Sequence, residues 1–355
     1  MTTTPEEGGF AWSGDARSVL LANATLRIPA RVLVRLSSFE ARSFAELERH
    51  ARRISWGRVL TPGDSVRFRV TCKKSRLYHS DAVAQRLADA VMRVMPRVHA
   101  EGGSIGDEDT MSDDPSALVV VRLMRDRCTV SADSSGELLH RRGYRQATAK
   151  APLRETLAAA LLEASGWDGV ANVVDPLCGS GTIPIEAALV ARRIAPGLAR
   201  SFAMERWPSV SPTLGARVRT ELRERQVDRV PSRFVGSDRD AGAIGGAVAN
   251  AERAGVTEDV NFLECALSAA TFPGPGGGWV VSNPPYGVRV GEAIAVRDLW
   301  AQLGNVLRER ARGWHVALLS PDPALDRQLR LPMRTVATTR NGGIAVRLIV
   351  GVVPA

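Results

Sequence analysis

The stretch VVSNPPYGVRV, residues 280–290, places an amide, two prolines and an aromatic ring directly after an apolar run. Adjacent prolines donate no backbone hydrogen bond, so we expect a strand to end here in a rigid corner. The amide oxygen of Asn283 and the carbonyl oxygen of Pro284 could each accept one N–H of an exocyclic amine on a nucleobase. Those two bonds would draw the nitrogen toward tetrahedral geometry and aim its lone pair at an activated methyl group. The corner therefore predicts methyl transfer to a base amine.

The aromatic ring that follows the prolines offers a flat surface for a base. A ring in this place could stack on the target, which requires the base to be unpaired or turned out of its helix. A turn that merely ends a strand is the alternative interpretation. The residues predicted to be catalytic are those of the corner itself: Asn283, Pro284, Pro285 and Tyr286.

The stretch ANVVDPLCGSGTIPIEAALV (171–190) predicts a strand, a glycine loop and the start of a helix. Gly179 and Gly181 allow close backbone approach, and a helix N-terminus offers free N–H groups to a carboxylate or phosphate. A nucleoside triphosphate loop would need GK[ST], which is missing, and Pro184 occupies the place of the third glycine of a dinucleotide loop. A cofactor with an amino acid end and an adenosine end remains, which describes S-adenosylmethionine. A plain strand–turn–helix with two glycines is the alternative.

A second candidate for the cofactor site lies at the end of the next predicted strand, in RFVGSDRDAGAIGGAVANAERAG (233–255). Asp238 falls at the carboxyl end of that strand, where open α/β sheets bind their ligands. A carboxylate there can accept both hydroxyls of a ribose, which is the role we assign to Asp238. The alternative is a helix N-cap, a role that Asp240 would fill equally well.

From residue 151 onward, apolar strands alternate with amphipathic helices, which predicts an α/β domain with a parallel sheet covered on both faces. The short link TTRNGG (338–343) predicts that the last two strands form an antiparallel hairpin. The predicted helices lie near 153–165, 181–194, 240–254 and 295–312. The predicted strands are 171–175, 232–238, 259–264, 278–283, 313–320, 332–338 and 343–352.

The residues before 151 predict a smaller α+β region. We expect residues 1–18 to be loose, Ser80 to cap a helix, and the Gly- and acid-rich stretch 101–116 to be a loop. SVRFRVTC (65–72) alternates apolar residues with Arg67 and Arg69, which predicts a half-buried strand with a basic outer face. Other predicted elements are strands at 31–36, 117–124 and 128–133, a helix with Phe44, Leu47, Ala51 and Ile54 on one face, and a helix with Val83, Leu87, Val91 and Met95.

The chain is basic, with 47 Lys and Arg against 38 Asp and Glu and a net charge of +9. Arginine binds phosphate through a planar fork, so a nucleic acid is the expected partner; an Arg-rich composition with solvated charges is the alternative. The four cysteines form no CxxC pair and the five histidines show no ligand spacing, so neither a disulfide framework nor a metal site is expected. No apolar run could span a membrane and no secretory signal is present, so we expect a cytoplasmic protein.

The motifs DPLCGSGT, GSDRD and NPPYG, in this order, resemble those of class I S-adenosylmethionine-dependent methyltransferases that act on amines. Three longer stretches (139–162, 185–208 and NPPYGVRV) resemble RNA guanine-N2 methyltransferases that carry a THUMP domain. Among these the likeness is greatest to the enzymes of 23S ribosomal RNA, and next to the tRNA enzymes. The resemblance implies a Rossmann-like methyltransferase sheet at 151–355, a THUMP-like RNA-binding domain at 61–150 and a partial ferredoxin-like segment at 1–60.

The resemblance also implies roles for individual residues. The expected cofactor contacts lie along the glycine loop and at the ends of the neighbouring strands: Asp175, Pro176, Cys178, Gly179, Gly181, Thr182, Asp238, Cys265 and Asn283. Cys265 stands where the family usually has an acidic residue for the adenine, and Glu264 beside it could take that role if the register slipped by one residue. The expected RNA contacts are basic: Arg67, Arg69, Lys73, Lys74, Arg141, Arg142, Arg145 and Arg289.

Two other interpretations stay open at this point. The NPPY corner also serves adenine-N6 and protein glutamine methylation, although the basic N-terminal half favours RNA over a protein loop. The third possibility is an RNA-binding factor in ribosome assembly that has kept the fold without turnover, for which Cys265 is the only support. The sequence does not determine the oligomeric state.

Overall fold

The computed structural model describes residues 2–106, 116–145, 153–273, 277–286 and 293–355. The chain divides into two compact units, Met1–Leu139 with Gly197–Glu221, and His140–Pro196 with Leu222–Ala355. The domain borders at residues 60 and 150 stay predictions. The contacts assign Gly197–Glu221, which lie within the predicted C-terminal domain, to the first unit.

The first unit contains a five-stranded mixed sheet in the order β3-β7-β6-β4-β5 and a separate hairpin of β1 and β2. Strand β4 is parallel to β5 and β6, whereas β7 is antiparallel to β3 and β6. Its elements are β1 Thr4–Glu6, β2 Gly9–Ala11, α1 Ala16–Thr25, β3 Leu33–Glu40, α2 Phe44–Ala51, β4 Ser65–Lys73, α3 Ser80–Val94, β5 His99–Ser104, β6 Ala117–Met124 and β7 Arg127–Asp133.

Three expectations for this unit are wrong. Residues 1–18 are not loose, because β1 and β2 pair and Asp15 caps α1 by accepting the N–H of Ser18 at 2.8 Å. Ser80 is the first residue of α3 rather than its cap, a position held by His79 without a side-chain bond. The loop expected from residue 101 begins with β5, a glycine-containing strand that forms because β4 lies beside it.

The second unit contains a seven-stranded sheet in the order β10-β9-β8-β11-β12-β14-β13. Neighbouring strands are parallel from β10 to β12, and β14 is antiparallel to both β12 and β13. The predicted α/β class, its seven strands and the terminal hairpin are confirmed; α6 and α9 were not predicted. Helix α6, Leu214–Glu224, lies mostly in the first unit. The elements of the second unit are α4 Glu155–Ala164, β8 Val173–Asp175, α5 Thr182–Ala191, β9 Phe234–Asp238, α7 Ala241–Ala254, β10 Val260–Glu264, β11 Trp279–Ser282, α8 Ala293–Arg310, β12 His315–Ser320, α9 Pro323–Leu329, β13 Met333–Asn341 and β14 Ile344–Val352.

The strand order creates a crevice between β8 and β11. The chain runs outward from β8 to β10 and then returns on the other side of β8 with β11. Open α/β sheets bind ligands at such a reversal, outside the carboxyl ends of the strands. Buried apolar side chains form two clusters in this unit, one including Leu161 and Ile183 and the other including Trp300 and Leu303. The glycine loop follows the carboxyl end of β8, and the NPPY corner follows the carboxyl end of β11.

Candidate functional site

The glycine loop and the NPPY corner are joined by a hydrogen bond between the last residues of two adjacent strands. The hydroxyl of Ser282, at the end of β11, donates to Oδ1 of Asp175, at the end of β8, at 2.6 Å. The backbone N–H of Leu177 donates to the same oxygen at 3.1 Å. Both Asp175 and Ser282 are buried. The two motifs, 107 positions apart in the chain, therefore share one site.

Burial gives Asp175 unusual acid–base behaviour. It raises the pKa of Asp175 to about 7, and the nearby Asp238 carboxylate adds to the rise, while the hydrogen bonds from Ser282 and Leu177 oppose it. A carboxyl group with this pKa exchanges its proton near neutral pH. A cation brought close to it would favour the carboxylate form.

The glycine loop requires glycine at one position and leaves space at another. Gly181, at the N-cap of α5, has φ +79°, and a Cβ there would lie 2.5 Å from the ring of Phe262 and 2.9 Å from Ala247. Gly179 has φ +50°, and a Cβ there would meet no atom within 4 Å among the described residues. The backbone at Gly179 therefore borders open space, which is the cradle that a ligand needs.

The structure distinguishes the two candidate aspartates after β9. Asp240 caps α7 by accepting the N–H groups of Gly242 and Ala243. Asp238 instead accepts the N–H of Gly179 at 3.0 Å through Oδ2 and that of Asp240 at 3.0 Å through Oδ1. Each carboxylate oxygen keeps a further lone pair, so the half-buried Asp238 can still accept hydroxyl groups. Its ribose role stays a prediction.

Two cysteines lie beside this carboxylate. Burial raises the pKa of the Cys178 thiol well above its usual range, so the group is not a nucleophile at neutral pH. Cys265 follows β10, is half-buried, and its N–H donates to the carbonyl of Asp238 at 2.9 Å. Glu264 pairs with Asp238 in the sheet register and is exposed. Cys265 therefore lies at the expected place, with a weaker acceptor than a carboxylate.

The NPPY corner presents two acceptors that have no partner within the described part of the chain. Among the residues that the structure describes, Oδ1 of Asn283 is buried and has no hydrogen-bond partner. Within the same residues, no donor reaches the carbonyl oxygen of Pro284, whereas that of Pro285 accepts the indole N–H of Trp300 at 3.2 Å. A buried acceptor left without a partner costs about 1–3 kcal/mol. These two oxygens are therefore candidate contacts for a ligand.

Tyr286 is held from both sides. Its half-buried ring packs against both apolar clusters of the second unit. Its hydroxyl accepts the side-chain N–H of Asn341 at 2.6 Å, and burial raises the pKa of Tyr286. Asn341 was missed by the sequence analysis because it lies 55 positions further along, at the end of β13. Stacking of Tyr286 on a base stays a prediction.

Thr182 and Pro176, two further residues assigned to the cofactor, are both buried at the glycine loop. The Thr182 hydroxyl accepts a hydrogen bond from Arg145 at 2.5 Å, so its side chain already has one partner within the protein. Pro176 follows Asp175 directly. Contacts of either residue with the cofactor stay predictions.

Arg67 and Arg69 lie on the same face of strand β4. Val66, Phe68 and Val70 are buried as expected, and the alternating Arg67 and Arg69 are half-buried on the other face of β4. Arg31, close to both, forms an ion pair with Asp133. Burial lowers the pKa of Arg31, Asp133 opposes that effect, and the charges of Arg69 and Arg67 add to it.

Further along this strand and just after it, the side chains reach solvent. Lys73 and Lys74 are exposed, and Lys73 lies 3.1 Å from Glu7 of the N-terminal hairpin. Positive groups on an exposed sheet face suit phosphate binding. RNA contacts of Arg67, Arg69, Lys73 and Lys74 stay predictions. Arg289 lies outside the described residues.

Two arginines expected to bind RNA have another role. Arg142 is 3% exposed, and its Nε lies 3.5 Å from the fully buried Glu186. The Nε of Arg145 lies 3.0 Å from Glu155, which is also buried. Guanidinium groups enclosed in buried ion pairs are not presented to phosphates, which corrects the expectation for Arg142 and Arg145. Arg141 is half-buried, and its RNA contact stays a prediction.

Two other features bear on the chemistry and on the protein's surroundings. In the described part of the chain, no group of three or more His, Cys, Asp or Glu side chains is arranged to hold a metal ion. Over the same residues, no helix is both long and apolar enough to cross a membrane.

Comparison with known proteins agrees with this geometry. Residues 142–348 match the family described as RMKL-like, methyltransferase domain, and residues 41–133 match the THUMP domain. The Synechocystis sp. protein slr0064, named as a candidate RNA methyltransferase, is 31% identical over 347 residues, which are 97% of this chain and 88% of that protein. The ribosomal RNA large subunit methyltransferase K/L of Syntrophotalea carbinolica is 35% identical over 353 residues, 96% of this chain. The chain spans 48% of the length of that second relative.

A solved structure extends the likeness to the whole fold. SMU.472, described as a candidate methyltransferase complexed with SAH, superposes with a TM-score of 0.83 at 27% identity and covers 99% of this chain and 92% of its own. The strand order and the site define a class I methyltransferase. The chain belongs to the RMKL-like methyltransferase family and carries a THUMP domain. As a class I methyltransferase of this family, it uses S-adenosylmethionine as its methyl donor.

Proposed function

We propose that this protein transfers the methyl group of S-adenosylmethionine to the exocyclic N2 amine of a guanine in structured RNA, with 23S ribosomal RNA as the preferred substrate, in the cytoplasm. One observation supports an amine as the group that receives the methyl. The buried Oδ1 of Asn283 has no hydrogen-bond partner among the described residues. An amine N–H is the donor that this oxygen lacks.

The cofactor fits the residues that are present. The open space beside Gly179 lets a ligand approach the backbone, and Asp238 keeps lone pairs for hydroxyl groups. When bound, S-adenosylmethionine supplies an electrophilic methyl group on sulfonium. Asp175 and Asn283, at the ends of adjacent strands, then border the cofactor and the target base, because Ser282 and Asp175 join those strand ends.

The chain's own residues position the nucleophile. Oδ1 of Asn283 and the carbonyl oxygen of Pro284 accept the two amine hydrogens and direct the nitrogen lone pair toward the methyl carbon. The indole N–H of Trp300 donates to the carbonyl of Pro285, which helps to hold the corner in one conformation. The N–C bond forms as the S–C bond breaks, and one amine proton leaves to solvent. No strong base is required before the displacement.

Ribosomal RNA is favoured over transfer RNA by the relative that is 35% identical and named for large-subunit ribosomal RNA. That protein is about twice as long as the stretch it shares with this chain, so the choice of RNA is part of the proposal. The THUMP match and the basic sheet face around Arg69 and Lys73 support an RNA substrate of either kind.

The test is methyl transfer with labelled S-adenosylmethionine to 23S ribosomal RNA and to transfer RNA, followed by nucleoside analysis. We expect N2-methylguanosine in ribosomal RNA; N6-methyladenosine, or cofactor binding without any methylated nucleoside, would overturn the proposal. Asn283→Ala is expected to abolish transfer while S-adenosylhomocysteine still binds. Asn261→Ala, on the exposed surface of β10, is the matched control and should leave transfer unchanged.

A further inference from the structure

The glycine loop is held by a side chain that comes from helix α7. Asn250 is 1% exposed, and its Nδ2 donates to the carbonyl oxygen of Ser180 at 3.0 Å. Ser180 lies between the two glycines of the loop. The N–H of the next residue, Gly181, donates to the carbonyl of Cys178 at 2.9 Å. Because a peptide group is planar, these two bonds fix both edges of the Ser180–Gly181 peptide.

The orientation of the Asn250 amide is itself determined. Nη2 of Arg253 donates to Oδ1 of Asn250 at 2.5 Å, and Nε of Arg253 donates to the carbonyl of Tyr144 at 2.6 Å. With its oxygen occupied by a guanidinium, the amide must direct its NH₂ group toward Ser180. Arg253 therefore acts on the loop through Asn250.

The segment that contains Tyr144 also holds the start of α5. Nη2 of Arg145 donates to Oγ1 of Thr182 at 2.5 Å, and the Tyr144 hydroxyl donates to Glu186 at 3.2 Å. Burial raises the pKa of Tyr144, so this hydroxyl keeps its proton and remains a donor. The residue after Gly181 is thus fixed as firmly as the residue before it.

We propose that Asn250, oriented by Arg253, is a positioning residue for cofactor binding: it holds the Ser180–Gly181 peptide in the conformation that accepts S-adenosylmethionine before the cofactor arrives. Gly179 and Gly181 both have positive φ, and glycines have many accessible conformations, so an unsupported loop would lose more entropy on binding. Because Asn250 already orders the loop in the free protein, the loop loses less conformational entropy when the cofactor binds. The sequence analysis assigned no role to Asn250 or Arg253.

The decisive variant is Asn250→Asp, which keeps the size of the side chain and the acceptor for Arg253 but replaces the donor to Ser180 with an oxygen. We expect the Kd for S-adenosylhomocysteine, measured by calorimetry, to rise about 10-fold or more, since a buried carbonyl loses its partner and faces another acceptor. The KM for S-adenosylmethionine should rise in parallel, with kcat at saturating cofactor largely retained. Asn261→Asp makes the same charge change on the exposed surface of β10 and should not alter the Kd.

A second variant keeps the proposal testable if Asn250→Asp does not fold. Arg253→Met leaves Asn250 in place but removes the group that orients it, and should weaken S-adenosylhomocysteine binding less than Asn250→Asp does. In the double variant the two effects on the Kd should not add, because both act through the Ser180 carbonyl. A Kd within twofold of the wild type in either variant, together with a lowered Tm of the free protein, would show a purely structural role and overturn the proposal.

Discussion

The side-chain amide of Asn341 donates a 2.6 Å hydrogen bond to the hydroxyl of Tyr286, which joins the end of β13 to the NPPY corner. This bond helps to hold the Tyr286 ring in place. A ring fixed in this way presents a constant surface to a base. Asn341 therefore belongs to the proposed base-binding site through its effect on Tyr286.

A double-mutant cycle tests this relationship. We expect Tyr286→Phe and Asn341→Ala each to raise the KM for RNA several-fold with little change in the Kd for S-adenosylhomocysteine, since a neutral hydrogen bond contributes about 0.5–1.5 kcal/mol. In the Tyr286→Phe background, Asn341→Ala should add almost nothing, because its acceptor is already gone. Fully additive effects on the KM would show that Asn341 does not act through Tyr286.

The two glycines of the loop should respond differently to alanine. Gly179→Ala places a methyl group in open space, so we expect a modest loss of stability, about 1 kcal/mol for the left-handed backbone, but a large loss of S-adenosylhomocysteine affinity. Gly181→Ala forces a methyl group against Phe262 and Ala247, which should lower the free energy of unfolding by about 1–3 kcal/mol or more. Urea unfolding and calorimetry measure the two quantities separately. Equal effects of both variants on stability would contradict this division.

Asp175 should make stability depend on pH. Its pKa in the folded protein is about 7, raised from an ordinary value of 3.8, so folding favours the protonated form. The stability that Asp175 contributes is full below about pH 4 and is lost as the pH rises through about 7. Relative to Asp175→Asn, the wild type without cofactor should therefore become less stable between pH 5 and pH 8. Urea unfolding of both proteins across this range is the measurement, and a constant difference between them would contradict the raised pKa.

The basic residues should separate into two groups by salt dependence. Lys73→Gln and Lys74→Gln remove exposed charges, so we expect weaker RNA binding and a shallower dependence of the Kd on salt, by about one unit of slope for each phosphate that is no longer neutralised. Arg142→Gln breaks a buried ion pair with Glu186 and should lower stability by about 3–5 kcal/mol. Filter binding between about 50 and about 200 mM salt distinguishes the groups, since the slope for Arg142→Gln should match the wild type. If the Kd of Arg142→Gln for RNA depended less steeply on salt than that of the wild type, Arg142 would be shown to contact RNA.

The sequence by itself predicted the seven strands of the second unit and its helices α4, α5, α7 and α8. It also indicated the strand ends at which the proposed site lies. Buried parallel strands are continuous apolar runs, and loops that bind ligands at strand ends carry glycines, prolines and isolated polar residues, so both are visible locally. Strands at both motifs were predicted for this reason, and so was the class of cofactor. The sequence pattern also placed Asp238 at the carboxyl end of a predicted strand. Only the structure showed that Asp240, and not Asp238, is the cap of the following helix.

The tertiary structure alone decided which residues meet. Charge in a sequence does not reveal burial, so Arg142 and Arg145 looked like RNA contacts until their carboxylate partners were seen. The stretch Gly197–Glu221 follows α5 in the sequence, yet it packs with the N-terminal unit, where the N–H of Met204 donates to Ser134 and that of Gly197 donates to Ala24. Partners such as these are far apart along the chain. They meet because folding brings their surfaces together, and a local sequence pattern does not encode which surfaces will meet.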